Sequence, residues 1–125
     1  KKKLILSFIY FARGIVIALF IFLPPSPTLA VLFGITFGFL WLATVPPTAG
    51  IVSFIFGTKY MGLLYGIVFL SHQVGSFFGA YLGGVFKEVY GSYDYAWYVS
   101  IALSVFAGII HLPIIEKPVN RLATI

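Results

Sequence analysis

Apolar residues fill positions 4–23 with a single charged interruption at Arg13, and comparable runs follow at 28–56, 60–86 and 95–115. Crossing a hydrocarbon core of about 30 Å takes roughly twenty helical residues, and each run is long enough. Uninterrupted apolar stretches lack the in-out alternation of a membrane barrel, so the pattern predicts helices. Pro24, Pro25 and Pro27 stop the first. Within the second, Pro46-Pro47 would break an ordinary helix, which predicts a kink at 46–47 and a helical continuation to 56. The expected architecture is an all-α membrane protein with four transmembrane helices, followed by a tail at 116–125.

Composition agrees with the pattern. The chain is 61% hydrophobic and 9% charged, with a mean hydropathy of +1.07. A soluble domain carries about a quarter charged residues, so this chain cannot cover a water-facing surface. It reads as polytopic and integral to a plasma or inner membrane. The net charge of +5 is spread over the ends of apolar segments rather than gathered on one face, which argues against nucleic acid as a partner. Cysteine is absent, which excludes disulfides and thiolate metal sites. A secretory signal is also a poor fit, because the first apolar run is long and leads into others.

Orientation follows from the lysines and arginines near the ends of each run. Lys1, Lys2, Lys3, Lys59, Lys117 and Arg121 fall on one side; the turn at 24–27 has none, and Lys87 is offset by Glu88 and Asp94. Both termini are therefore expected to be cytoplasmic. Tyr90, Tyr93, Tyr95, Trp97 and Tyr98 would then form an outer aromatic belt.

The third run holds the candidate chemistry. At 100° per residue, Ile67, Leu70, Val74, Phe77, Phe78, Tyr81, Leu82 and Val85 share one arc, suited to lipid. Gly75, Gly79 and Gly83 cluster with His72 on one flank of that arc, and Gly62, Gly66, Ala80 and Gly84 cluster with Gln73 on the other. Small residues at steps of four allow close approach of membrane helices, so both flanks are expected to face protein. Gly34 and Gly38 in the second run, and Ser104 and Gly108 in the fourth, read as packing positions too.

His72 and Gln73 carry two readings. Either they are hydrogen-bonding glue between helices, or one lines a water-filled substrate path, the usual meaning of an ionisable group inside a membrane. Ser76 stands one turn beyond His72. A histidine can hold or release a proton near neutral pH, which suits anion binding or proton relay. Arg13 is the other intramembrane charge, costly there unless paired or hydrated. Its partner is a backbone carbonyl, a substrate, or an acid on helices outside this chain. His111, near the cytoplasmic end, reads as interfacial.

The segments "FGTKYMG", "HQVGSFFGAYLGG" and "GSYDYAW" occur in that order and extend the pattern across nearly the whole chain. In this the chain resembles the end of a major facilitator superfamily transporter, of the kind grouped near the monocarboxylate and oxalate/formate carriers. The resemblance implies that the spans are the last four of twelve. It further implies alternating access about a central site, a small solute such as an organic anion with a coupled proton or counter-anion, and N-terminal helices of the same carrier as partners. Under it the third span lines the cavity near His72 or Gln73, and the chain opening on Lys1 is a C-terminal fragment unable to transport alone.

Two other readings compete. A complete four-helix exporter working as a dimer needs a carboxylate in its first helix, and 4–23 has none. A nontransporting scaffold would not call for a glycine-rich span bearing polar side chains. An enzyme is not expected: no Ser/His/Asp set, metal-ligand pair or phosphate-binding loop can be assembled, and "GAYLGG" has no preceding strand. No cofactor is implied.

Overall fold

The computed structural model describes residues 1–119; the residues of the predicted tail from 120 onward, Arg121 among them, lie outside that range. Among the described residues five helices follow one another: α1 (Lys2–Phe22), α2 (Pro27–Leu42), α3 (Val45–Phe56), α4 (Met61–Tyr90) and α5 (Asp94–His111). With α2 and α3 taken together as one broken segment, four helices are long and apolar enough to cross a membrane.

The ends of these helices have local causes. Ser26 caps α2, its hydroxyl accepting the Leu29 N–H at 3.0 Å, and Pro27 occupies the first turn where a missing N–H costs nothing. The break between α2 and α3 falls at Ala43–Thr44, ahead of Pro46-Pro47 rather than at them. Prolines are tolerated in the first turn of a new helix, so the chain ends one helix and restarts another around them. Helix α4 runs to Tyr90, past the expected end at 86. It is closed by Gly91, which adopts the left-handed conformation (φ 73°) and donates its N–H to the Lys87 carbonyl at 2.9 Å. Helix α5 stops at His111, short of the expected 115. Pro113 has no N–H to offer the Ile109 carbonyl, so the Leu112 N–H takes it at 3.1 Å and the helix closes there.

Helix α1 is the hub. It packs along α5 and is flanked by α2 and α3, and most of the buried positions belong to it: Leu6, Ser7, Ile9, Gly14 and Ile17. The seam with α5 is close. The buried Ser7 hydroxyl donates to the Gly108 carbonyl at 2.7 Å, one of the last four carbonyls of α5 that lack an N–H partner inside the helix. A Cβ at Gly14 would lie 3.5 Å from that of Ser104. At Gly108 it would come within 2.9 Å of the Phe11 ring, so any side chain there forces that ring to shift. Gly108→Ala should therefore destabilise the seam by about 1–3 kcal/mol, visible as a lowered unfolding temperature of the full-length protein in detergent. An unchanged temperature would contradict this contact.

The two described ends of the chain meet at one end of the bundle. Lys2 Nζ donates to the Gly50 carbonyl at 3.2 Å, Lys3 Nζ to Leu112 at 2.8 Å, and the Lys3 N–H to Glu116 Oε1 at 2.6 Å. The Val119 N–H reaches the Ile55 carbonyl at 2.8 Å. The Lys3 backbone N–H holds the Glu116 carboxyl below its ordinary range. At the opposite end Phe86, Tyr90, Tyr95 and Tyr98 form an aromatic cluster, with Tyr90 and Tyr95 rings 4.4 Å apart. Trp97, expected in this belt, instead meets Phe20 and Phe33 at 5.6 and 5.9 Å.

Helix α4 stands apart. It touches α3 and α5 lightly and has no buried residue. The expectation that both its flanks are covered by protein is not met within the described residues. A Cβ at Gly62, Gly66, Gly75, Gly79 or Gly83 would meet nothing within 4 Å, and the same holds for Gly34 and Gly38 on α2.

Candidate functional site

The space left between α1 and α4 forms two adjoining clefts. The smaller, about 380 Å³, is lined from α1 by Tyr10 and Arg13, from the α2–α3 break by Trp41, Thr44 and Thr48, and from α4 by Tyr65, Phe69 and His72. The larger, about 670 Å³, shares Tyr10, Arg13, Trp41 and His72 and extends past Gly75, Ser76 and Gly79 to Trp97, Ser100 and Ser104. Arg13 and His72 thus sit where the two clefts join, one near the middle of α1 and the other near the middle of α4.

The α2–α3 break positions the arginine. Pro46 and Pro47 cannot donate to the carbonyls of Leu42 and Ala43. The backbone ladder that stops with Ala43 N–H to Phe39 resumes with Thr48 N–H to Thr44. Carbonyls at this helix end are open to side chains. Thr44 Oγ1 donates to Trp41 at 2.8 Å, and Arg13 Nη2 donates to Leu40 at 3.1 Å and to Trp41 at 3.3 Å. A cation at a helix C-terminus also meets the negative end of the macrodipole. Of the three partners open to Arg13 in the sequence, backbone carbonyls are those it meets among the described residues.

Aromatic rings complete the setting. The guanidinium carbon lies 5.1 Å from the Trp41 ring, 5.3 Å from Tyr10 and 5.9 Å from Phe37, within cation–π range. The His72 ring meets the same Trp41 edge-on at 5.8 Å. Trp41 is therefore the shared neighbour of both basic groups. Nε of Arg13 is buried without a partner, and Nη1 makes no hydrogen bond among the described residues. Among the described residues, no acidic side chain lines either cleft.

Three of the four residues singled out in the sequence come together here: Arg13, His72 and Ser76, whose hydroxyl donates to the His72 carbonyl at 3.0 Å. Gln73 is exposed and lines neither cleft. Gly75 and Gly79 line the larger cleft, so their missing side chains leave volume; Gly62, Gly66 and Gly83 line neither. His111 stacks on Tyr10 at 4.9 Å, outside both clefts. Sequence reasoning passed over Tyr10 and Phe37, and read Trp41, one turn beyond Gly38, as mostly packing. Tyr10 was marked by its spacing of three from Arg13, which puts both on one helix face, and Trp41 by its place just ahead of the proline pair.

No family model, curated protein or solved structure matches the chain.

Proposed function

We propose that the chain is part of a membrane carrier that moves a small organic anion by alternating access, with a coupled proton or counter-anion. In this reading its four spans are the last four of a twelve-helix major facilitator fold, and the missing helices face α4. The observation that carries it is the pairing of Arg13 and His72 at the junction of two clefts, with Arg13 anchored on a helix broken near its middle.

An arginine at the centre of a membrane costs several kcal/mol unless hydrated or paired. Packing alone gives no reason to keep one beside a cleft without an acidic neighbour. Broken helices whose carbonyl ends coordinate charge near the midplane are a recurring device of carriers. The small residues of α4 fit the same purpose, since Gly75, Ser76 and Gly79 keep the wall opposite Arg13 low.

The test is uptake by liposomes holding the full-length protein. His72→Ala should lower organic-anion uptake about tenfold, the effect of losing a hydrogen bond to a charged group, with membrane abundance unchanged. Gln73→Ala should leave uptake near wild type. Equal losses from both variants, or from neither, would contradict the assignment of His72 to the path.

A further inference from the structure

We propose that the lysine-bearing end of the bundle is a docking site for an acidic phospholipid, its phosphate seated among Lys1, Lys2, Lys3 and Lys117. The proposal stands apart from the carrier reading and from the two clefts. Charge is the first observation. These lysines gather where the chain after α5 returns to the foot of α1, and the carboxylate among them is Glu116. The opposite end of the bundle has Lys87 against Glu88 and Asp94. Lysine clusters bordering a membrane span attract anionic lipid.

Depth is the second observation. Helix α1 has 21 residues, which at about 1.5 Å each match a hydrocarbon core of about 30 Å. Lysines at its foot therefore stand at headgroup level. Leu4 and Phe8 on α1, and Ile115 beside Glu116, are exposed just inside them. These side chains offer contact to acyl chains, which a soluble phosphate could not use.

Two of the lysines are held in place. Lys2 Nζ donates to the Gly50 carbonyl at 3.2 Å and lies 5.0 Å from the Phe54 ring centre. Gly50 leaves room for it, since a Cβ there would come within 3.0 Å of Lys2 Cε. Lys3 Nζ donates to the Leu112 carbonyl at 2.8 Å. An ammonium has three donors, so each keeps others for a phosphate and loses less rotamer freedom in taking one. The same end already accepts an anion. Glu116 takes the Lys3 N–H at 2.6 Å, and that bond holds its carboxyl below the ordinary range. One carboxylate does not balance four lysines, and a lipid phosphate supplies the further negative charge.

The measurement is lipid binding to the full-length protein in nonionic detergent, read by native mass spectrometry. The probes are phosphatidylglycerol and phosphatidylcholine with the same acyl chains, and glycerol 3-phosphate as a soluble competitor. Phosphatidylglycerol should bind at least about tenfold more tightly than phosphatidylcholine, because each lysine near a lipid phosphate contributes about fivefold. Lys1→Gln with Lys117→Gln should shrink that preference about fivefold or more. Neither side chain takes part in the hydrogen bonds that join the chain ends, so the double variant should fold normally. Glu116→Gln should raise the preference, and Lys87→Gln at the far end should leave it unchanged. Equal binding of the two lipids, or an equal loss from Lys87→Gln, would overturn the proposal. Displacement of the lipid by an equal concentration of glycerol 3-phosphate would also overturn it, leaving a phosphate site with no role for the acyl chains.

Discussion

Replacing Arg13 by methionine in the full-length protein is expected to cut organic-anion uptake about 10- to 100-fold, the effect of removing a charge-assisted hydrogen bond of about 1.5–3 kcal/mol. Abundance in the membrane should hold or rise, because an apolar side chain inserts more readily at the centre of a span than arginine does. That combination separates a working charge from a structural one. Arg13→Lys retains the charge but not the planar group that reaches Leu40, Trp41 and a ligand together, so uptake should recover only in part. Measuring uptake per molecule of protein in the membrane checks both outcomes. Wild-type uptake by Arg13→Met would remove the arginine from the mechanism.

The second large effect should come from residues that line neither cleft. Changing Pro46 and Pro47 together to alanine returns two backbone donors to the carbonyls of Leu42 and Ala43 and removes the reason for the break. Helices α2 and α3 would merge, and the carbonyls of Leu40 and Trp41 would turn to the N–H groups of Thr44 and Val45. Arg13 would lose its two acceptors, each a hydrogen bond to a charged group worth about 1.5–3 kcal/mol. Uptake should fall about tenfold or more, the factor corresponding to the weaker end of that range. The Thr44 and Val45 amides should exchange with solvent more slowly than in wild type. Slower exchange with full uptake would mean that the break matters for shape and not for the arginine.

The spans could be read from the sequence because they depend on local quantities: apolar length, prolines, and a glycine such as Gly91 that ends a helix. His72 was legible for the same reason, as a polar residue in an apolar run. The angular reading grouped it with Gly75, Gly79 and Gly83; the first two line one wall of the larger cleft beside it, whereas Gly83 does not and Ala80, placed on the other flank, does. What the sequence could not show was which flank of α4 looks toward α1. Gln73 lies only about 100° further round, and its relation to the cleft depends on where a neighbouring helix stands.

The partner of Arg13 was hidden for a similar reason. Its acceptors lie 27 and 28 residues away, on a helix end made available by prolines further on. No periodicity links these positions. The α1–α5 seam was read from one side only: Ser104 and Gly108 were picked out, whereas Gly14 and Ser7 face them from α1 as isolated residues that form no repeat. The glycines of α4 have the opposite difficulty. A missing side chain allows a helix to approach or leaves a cleft open, and a four-residue step is the same in either case.

Accessibility along α4 tests the central claim most directly. The chain contains no cysteine, so single cysteines can be placed through it one at a time in the full-length protein. With a small, charged, membrane-impermeant thiol reagent, cysteines at Gly75, Ser76 and Gly79 should react, and an organic anion should protect them. Cysteines at Val74, Phe77, Phe78 and Tyr81, which line neither cleft, should stay unreactive. Labelling confined to this second set, or no labelling of the first with or without the anion, would contradict a substrate path between α1 and α4.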